Sequence, residues 1–156
     1  MAQLSGFPEI FDIDTARYHD SALLTLGTRG VATNGTEWIY LRGTASVVAG
    51  AWVLIGSAFA TKLAVADDQG ALAIAGTAIT LDRYGWFQIY GVNIVAGNSG
   101  AVAVNSALFL TANAGYVDDA DVAGDAIVGA ASLALSAGSA FTVYLNYPFC
   151  HDIAID

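Results

Sequence analysis

Two histidines and one cysteine are the side chains of this sequence best suited to nucleophilic chemistry. Cys150 and His151 are neighbours, so in an extended segment their side chains leave opposite faces. A Cys–His pair would therefore have to join Cys150 to His19 across the fold, and no signature around either residue supports that. Gly97-Asn98-Ser99-Gly100 has the glycine-flanked serine of chymotrypsin-like proteases. That chemistry also needs a histidine base, a buried aspartate and a double barrel, and the only histidine upstream is His19. The tetrapeptide reads better as a hairpin turn. Asp118, Asp119, Asp121 and Asp125 form the densest carboxylate cluster, and calcium favours several oxygens on a flexible loop. The run lacks the D-x-D-x-D-G order of an EF-hand, so a solvated acidic loop is the simpler reading, as it is for Asp67-Asp68. There is no phosphate-binding glycine loop followed by lysine, and no G-x-G-x-x-G opening a helix. No catalytic set can be assembled, and the expectation is a protein that is not an enzyme and needs no cofactor and no metal.

The elements that would position any site follow from composition. The 156 residues suit one domain. Hydrophobic residues are 56% and charged residues 12%, against the roughly 25% charge of an ordinary soluble domain. Such a chain is too apolar for disorder and too sparsely charged to solvate a whole surface, which implies that other protein covers part of it. The net charge is −9, and the five basic residues (Arg17, Arg29, Arg42, Lys62, Arg83) are scattered. Capture of nucleic acid or of an anionic membrane surface is not expected. One cysteine excludes an intrachain disulfide framework. The N-terminus has no basic stretch followed by an apolar run, so no signal peptide is expected. The uncharged run from Gly43 to Thr61 has a membrane-spanning length of 19 residues, but glycine, serine and threonine interrupt it and low charge is a habit of the whole chain.

Residues 1–30 differ from the rest. Apolar anchors at Phe7, Ile10, Phe11 and Ile13 are spaced through a polar segment, which reads as an extended arm or a short helix lying on something, with a locally packed terminus as the alternative. Residues 31–156 read as a single β domain, because fourteen of the chain's seventeen glycines and only one of its two prolines punctuate short runs of Val, Ile, Thr, Tyr, Phe and Trp there. The expected strands are Glu37–Gly43, Ala51–Ile55, Lys62–Val65, Ala78–Leu81, Gly85–Val95, Ala101–Leu110, Ala126–Ala131 and Phe141–Tyr147. The alanine-rich Leu72–Ala78 and Ala130–Ala137 could be short helices instead. Trp38-Ile39-Tyr40-Leu41-Arg42-Gly43 and Trp86-Phe87-Gln88-Ile89-Tyr90-Gly91 echo each other, each with a Val-Ala-Gly shortly after it.

The segment Tyr84–Gly97, YGWFQIYGVNIVAG, holds no charge. As a strand it puts Trp86, Gln88 and Tyr90 on one face and Phe87 and Ile89 on the other. Phe87 and Ile89 are expected in a core, and Trp86, Gln88 and Tyr90 under a second subunit or the N-terminal arm. A carbohydrate platform would want exposed tryptophan beside groups such as Gln88 and Asn93, but the surroundings of Trp38, Trp52 and Trp86 are too apolar for a sugar groove, so core or interface is the better reading.

Three stretches carry a family likeness: Trp38–Leu41 leading into Ala45–Leu54, then Tyr84–Gly91, then Ile127–Ala131 followed by Phe141–Pro148. Together they resemble the small capsid decoration, or cement, proteins of tailed bacteriophages, over about Glu37 to Pro148. The resemblance implies an all-β fold, a small antiparallel barrel or sandwich of the jelly-roll or β-tulip kind, with an extended N-terminal arm that is longer here than a minimal one. It implies a homodimer or homotrimer on the outer capsid surface of the virion, bridging major capsid protein subunits and stabilising the head. On that footing the oligomer or coat interface is expected at Phe7, Ile10, Phe11, Arg17, Trp38, Trp86, Gln88 and Tyr90. A phage tail, fibre or receptor- or glycan-binding β module is the alternative.

Overall fold

The computed structural model describes residues 14–134, 136 and 138–151. Ten strands form one connected sheet: β1 (Arg29–Val31), β2 (Glu37–Gly43), β3 (Trp52–Ile55), β4 (Ala60–Leu63), β5 (Gly70–Ala75), β6 (Tyr84–Gly97), β7 (Leu108–Leu110), β8 (Val117–Asp118), β9 (Ala126–Ser132) and β10 (Ala140–Cys150). The fold is all-β, and among the described residues the one helical piece is a 3-10 turn at Ser57–Phe59.

The pairings close part of this sheet on itself. β2 pairs with β4, β4 with β3, β3 with β5, β5 with β6, and β6 returns to β2. The result is a five-stranded barrel, which removes free edges. The β2–β4 pair is parallel, so the sheet is mixed and not purely antiparallel. Alternation then decides what goes inside. Ile39, Leu41, Val53, Ala73, Ala75, Phe87 and Ile89 belong to the interior cluster. β5 contributes only alanines to it, because a barrel of so few strands has little room inside.

β6 is long enough to leave the barrel. Its second half pairs with β10, and β10, β9, β7 and β8 follow in order. This second sheet packs on the outside of β3 and β5. Trp52, Leu72 and Ile74 from the barrel wall meet Leu108, Leu110, Ile127, Phe141, Val143 and Leu145 in a second core. Both faces of β3 and β5 are thereby used, and β5 reads Leu-Ala-Ile-Ala with large residues outward and small ones inward. That alternation, and not helix formation, explains Leu72–Ala75. Ala130–Ser132 likewise belong to β9.

Three other expectations are corrected, at Ala78–Leu81, at Ala101–Leu110 and at the residue-30 boundary. Ala78–Leu81 is no strand; Ile79 makes a single bridge to Val47. Of Ala101–Leu110 only Leu108–Leu110 is strand, with Val102 bridging Ser136. The uncharged Gly43–Thr61 run is the end of β2, then β3, a turn and the start of β4, and no helix among the described residues is long and apolar enough to cross a membrane. The boundary at residue 30 falls inside β1, which pairs with β2 at Arg29–Ile39 and Val31–Glu37. His19 also bridges Tyr84, and Gly27 donates to the Tyr40 carbonyl at 2.8 Å. Residues 19–31 are therefore laced onto the β domain and are not a separate arm.

The echo between the two tryptophan strands has a spatial meaning. β2 and β6 are antiparallel partners, with Trp38 opposite Gln88 and Tyr40 opposite Trp86. The two Val-Ala-Gly stretches also meet: Gly97 donates to the Gly50 carbonyl at 2.9 Å. Gly50 sits at φ +82°, and a Cβ there would stand 1.9 Å from the Val95 carbonyl oxygen. Only glycine allows that approach. The second stretch is the end of β6 and not a turn.

Candidate functional site

The groups suited to chemistry are used structurally. His19 Nδ1 lies 2.9 Å from the Tyr40 hydroxyl. Cys150 is buried in the second core, its thiol 3.4 Å from the Ala126 carbonyl, so the two are not a nucleophile pair. Ser99 is exposed at a turn and its amide donates to the Val117 carbonyl. In the acidic loop the carboxylates serve backbone amides. Asp125 accepts from Asp67 N at 2.6 Å, Asp119 from Ala103 N at 2.8 Å and Asp118 from Ala120 N at 3.1 Å. Among the described residues no group of three or more His, Cys, Asp or Glu could hold a metal.

The expected interface residues separate along one strand. On the outer face of β6, Trp86 is only 4% exposed. It packs with Trp38 and Tyr40, and Leu24, Leu26 and Ala32 of the same chain close over them. The Tyr40 and Trp86 rings meet edge to face with centroids 5.2 Å apart. Gln88 is also buried. Its amide donates to the carbonyls of Tyr90 (3.1 Å) and Val92 (3.0 Å), and its oxygen accepts from Asn93 Nδ2 at 2.9 Å. Asn93 Oδ1 in turn accepts from Val95 N at 2.9 Å. Trp38, Trp86 and Gln88 are thus already covered by their own chain and offer no surface to a partner. Of the two covers expected, a second subunit or the N-terminal arm, it is the segment before β1, within residues 1–30, that folds back over Trp38 and Trp86, so the interface placing is corrected in favour of the chain's own cover. Arg17 is exposed and paired with Asp14 at 3.1 Å. Phe7, Ile10 and Phe11 lie outside the described residues.

The Gln88–Asn93 network predicts a stability effect. Gln88→Leu strips the Tyr90 and Val92 carbonyls and the buried Asn93 amide of their partner, at a cost of about 2–3 kcal/mol. Urea unfolding should show it as a lower midpoint with unchanged slope. Equal midpoints would sink this account.

Beyond Gln88 the cover ends. Tyr90 is half-buried and Val92 is 46% exposed. Register places Val92 beside Tyr144 of β10, and Tyr144 beside Ala131 of β9. Phe149 pairs with Val128. Val92, Val95, Val128, Tyr144, Tyr147 and Phe149 are all exposed. Tyr90 joins Tyr144 and Tyr147 by ring contacts at 5.8 Å and 5.5 Å. β6, β9 and β10 contain no charged residue. The tyrosines do not supply charge either. The Tyr90 hydroxyl raises the pKa of Tyr144, and the hydrogen bond to Glu37 raises that of Tyr147, so both stay neutral through the physiological range. Large uncharged apolar patches on a soluble chain mark contact surfaces.

Comparison with family models, with curated proteins and with solved structures finds no match to this chain. The site's geometry and the sequence therefore carry the functional reading.

Proposed function

We propose that this chain is a structural subunit, a capsid decoration or cement protein that assembles into a homodimer or homotrimer and sits on the outer surface of a phage head, bridging major coat subunits. The observation that carries the reading is the uncharged outward face of β6, β10 and β9. A face of this kind is stable in water when a like or complementary face covers it, and closed symmetric oligomers cover like faces. The resemblance noted in the sequence supplies the setting. The acidic balance of the chain, net −9, complements basic patches on a coat and is unsuited to packaged nucleic acid. His19, Cys150, Asp118, Asp119 and Asp125 are engaged in hydrogen bonds that hold the fold, which favours a structural role over a catalytic one. A protein that binds only the assembled shell stabilises it by mass action.

The test is particle binding. Incubated with heads stripped of decoration, the protein should co-sediment with assembled shells and not with free coat subunits, and it should raise the temperature at which heads release DNA. A chain absent from the native particle surface in cryo-EM maps, or one that binds host cells by itself, would overturn the reading.

A further inference from the structure

The barrel is open at one end, where Ile39 of β2, Ile55 of β3 and Ile89 of β6 meet below a rim formed by Arg29, Tyr147 and Phe149. The cavity is about 230 Å³. An apolar cavity of about 150 Å³ already holds a benzene ring, so this one has room for a phenyl group with a short linker. Its walls offer no anionic group, and the rim offers one cation. Arg17, Arg42, Lys62 and Arg83 each pair with an aspartate. Arg29 makes no ion pair among the described residues, in a chain of net charge −9. Its guanidinium lies 5.8 Å from the centroid of the Tyr147 ring. The nearby carboxylate, Glu37, instead accepts from the Tyr147 hydroxyl at 2.8 Å.

Tyr147 is held at a cost. Its φ is +50°, in the left-handed region that a bulky residue rarely adopts, at the irregularity between Leu145 and Phe149 where β10 departs from β9. Strain of this kind persists where surrounding contacts over-determine it, and it clusters at binding sites. Here three contacts fix the ring: Glu37 at its hydroxyl, Tyr90 beside it and Arg29 over its face.

We infer that the barrel mouth is a binding site for a small apolar carboxylate, with the hydrocarbon on Ile39, Ile55 and Ile89 and the carboxylate on the Arg29 guanidinium. The apolar floor selects the body of the ligand by burial, and the arginine selects the anion by charge-assisted hydrogen bonds. Its floor is the barrel interior, while its rim residues Tyr147 and Phe149 adjoin the face that the proposed function covers.

The probes are 3-phenylpropionate and its neutral amide, titrated into isotopically labelled protein and followed by amide shifts. Saturable shifts at Arg29, Ile39, Ile89, Tyr147 and Phe149 are expected at ligand concentrations below about 10 mM, with the carboxylate about tenfold tighter than the amide. Arg29→Gln should bring that ratio to about one, with most of the loss falling on the carboxylate. Arg29 is exposed and its backbone pairing with Ile39 does not depend on its side chain, so the variant folds. No saturation, shifts elsewhere, equal binding of amide and acid, or a ratio that survives Arg29→Gln would each overturn the inference.

Discussion

Trp86→Ala is expected to unfold the protein more than it disassembles it. The indole is closed in by Trp38, Tyr40, Leu24, Leu26 and Ala32 of its own chain. Truncating a buried tryptophan costs about 3–5 kcal/mol, from lost transfer energy and the cavity left behind. Native domains hold only about 5–15 kcal/mol in total, so this is a large share. For a domain of this size it corresponds to a fall in melting temperature of roughly 6–20 °C. The segment carrying Leu24 and Leu26 loses its anchor too, so backbone amides around Gly27 and Thr28 should exchange faster. The measurement is thermal unfolding alongside size analysis. Wild-type stability with a broken oligomer would mean that Trp86 faces a partner after all.

The opposite pattern is expected of Tyr144→Lys. Tyr144 stands outward on β10 between Val92 and Ala131, on strands without a charge. In an isolated subunit the new ammonium is solvated, and a surface change of this kind stays within about 0.5 kcal/mol of wild type. In an assembly it would be a buried charge without a counter-ion, a penalty of several kcal/mol and so at least about 100-fold in affinity. Val92→Lys, made separately, should behave alike. Sedimentation of both variants should give monomers with wild-type melting curves and no particle binding. Variants that still assemble would remove this face from the proposed function. Because Trp86 and Val92 lie on one strand, the pair of experiments maps where along it the chain's own cover stops.

Much of the fold was legible locally. β2 occupies Glu37–Gly43 as the run of aromatic and β-branched residues indicates, and β6 and β10 include the stretches expected of them. The placing of Phe87 and Ile89 inside follows from period-two alternation alone. Asp67-Asp68 lies in a turn, as its side chains suit, whereas Gly97-Asn98-Ser99-Gly100 is no hairpin: Gly97 ends β6, Asn98 bridges Val117 and β6 does not pair with β7. What misled was composition without context. Leu-Ala-Ile-Ala is a poor helix-or-strand signal until one knows that both faces of β5 are buried in unequal spaces. Ala78–Leu81 and most of Ala101–Leu110 have strand residues but no neighbour with which to form a ladder. The aromatic mouth was missed for the same reason: Arg29, Ile55, Ile89 and Tyr147 are far apart in sequence, and their types give no sign that they share a rim.

The sequence by itself determined that this chain is a β protein, with few charges and strands apolar on both faces. Those properties are sums and short-range alternations, which need no knowledge of neighbours. Only the tertiary structure decided which apolar face is satisfied within the chain. Burial depends on what folds back over a strand: the Leu24–Ala32 segment reaches Trp86 and Gln88 lies in a closed hydrogen-bond network, while Val92 and Tyr144 stay exposed. A sequence pattern can show that a strand needs covering on both sides, but where the cover comes from is a fact about contacts between distant parts of the chain.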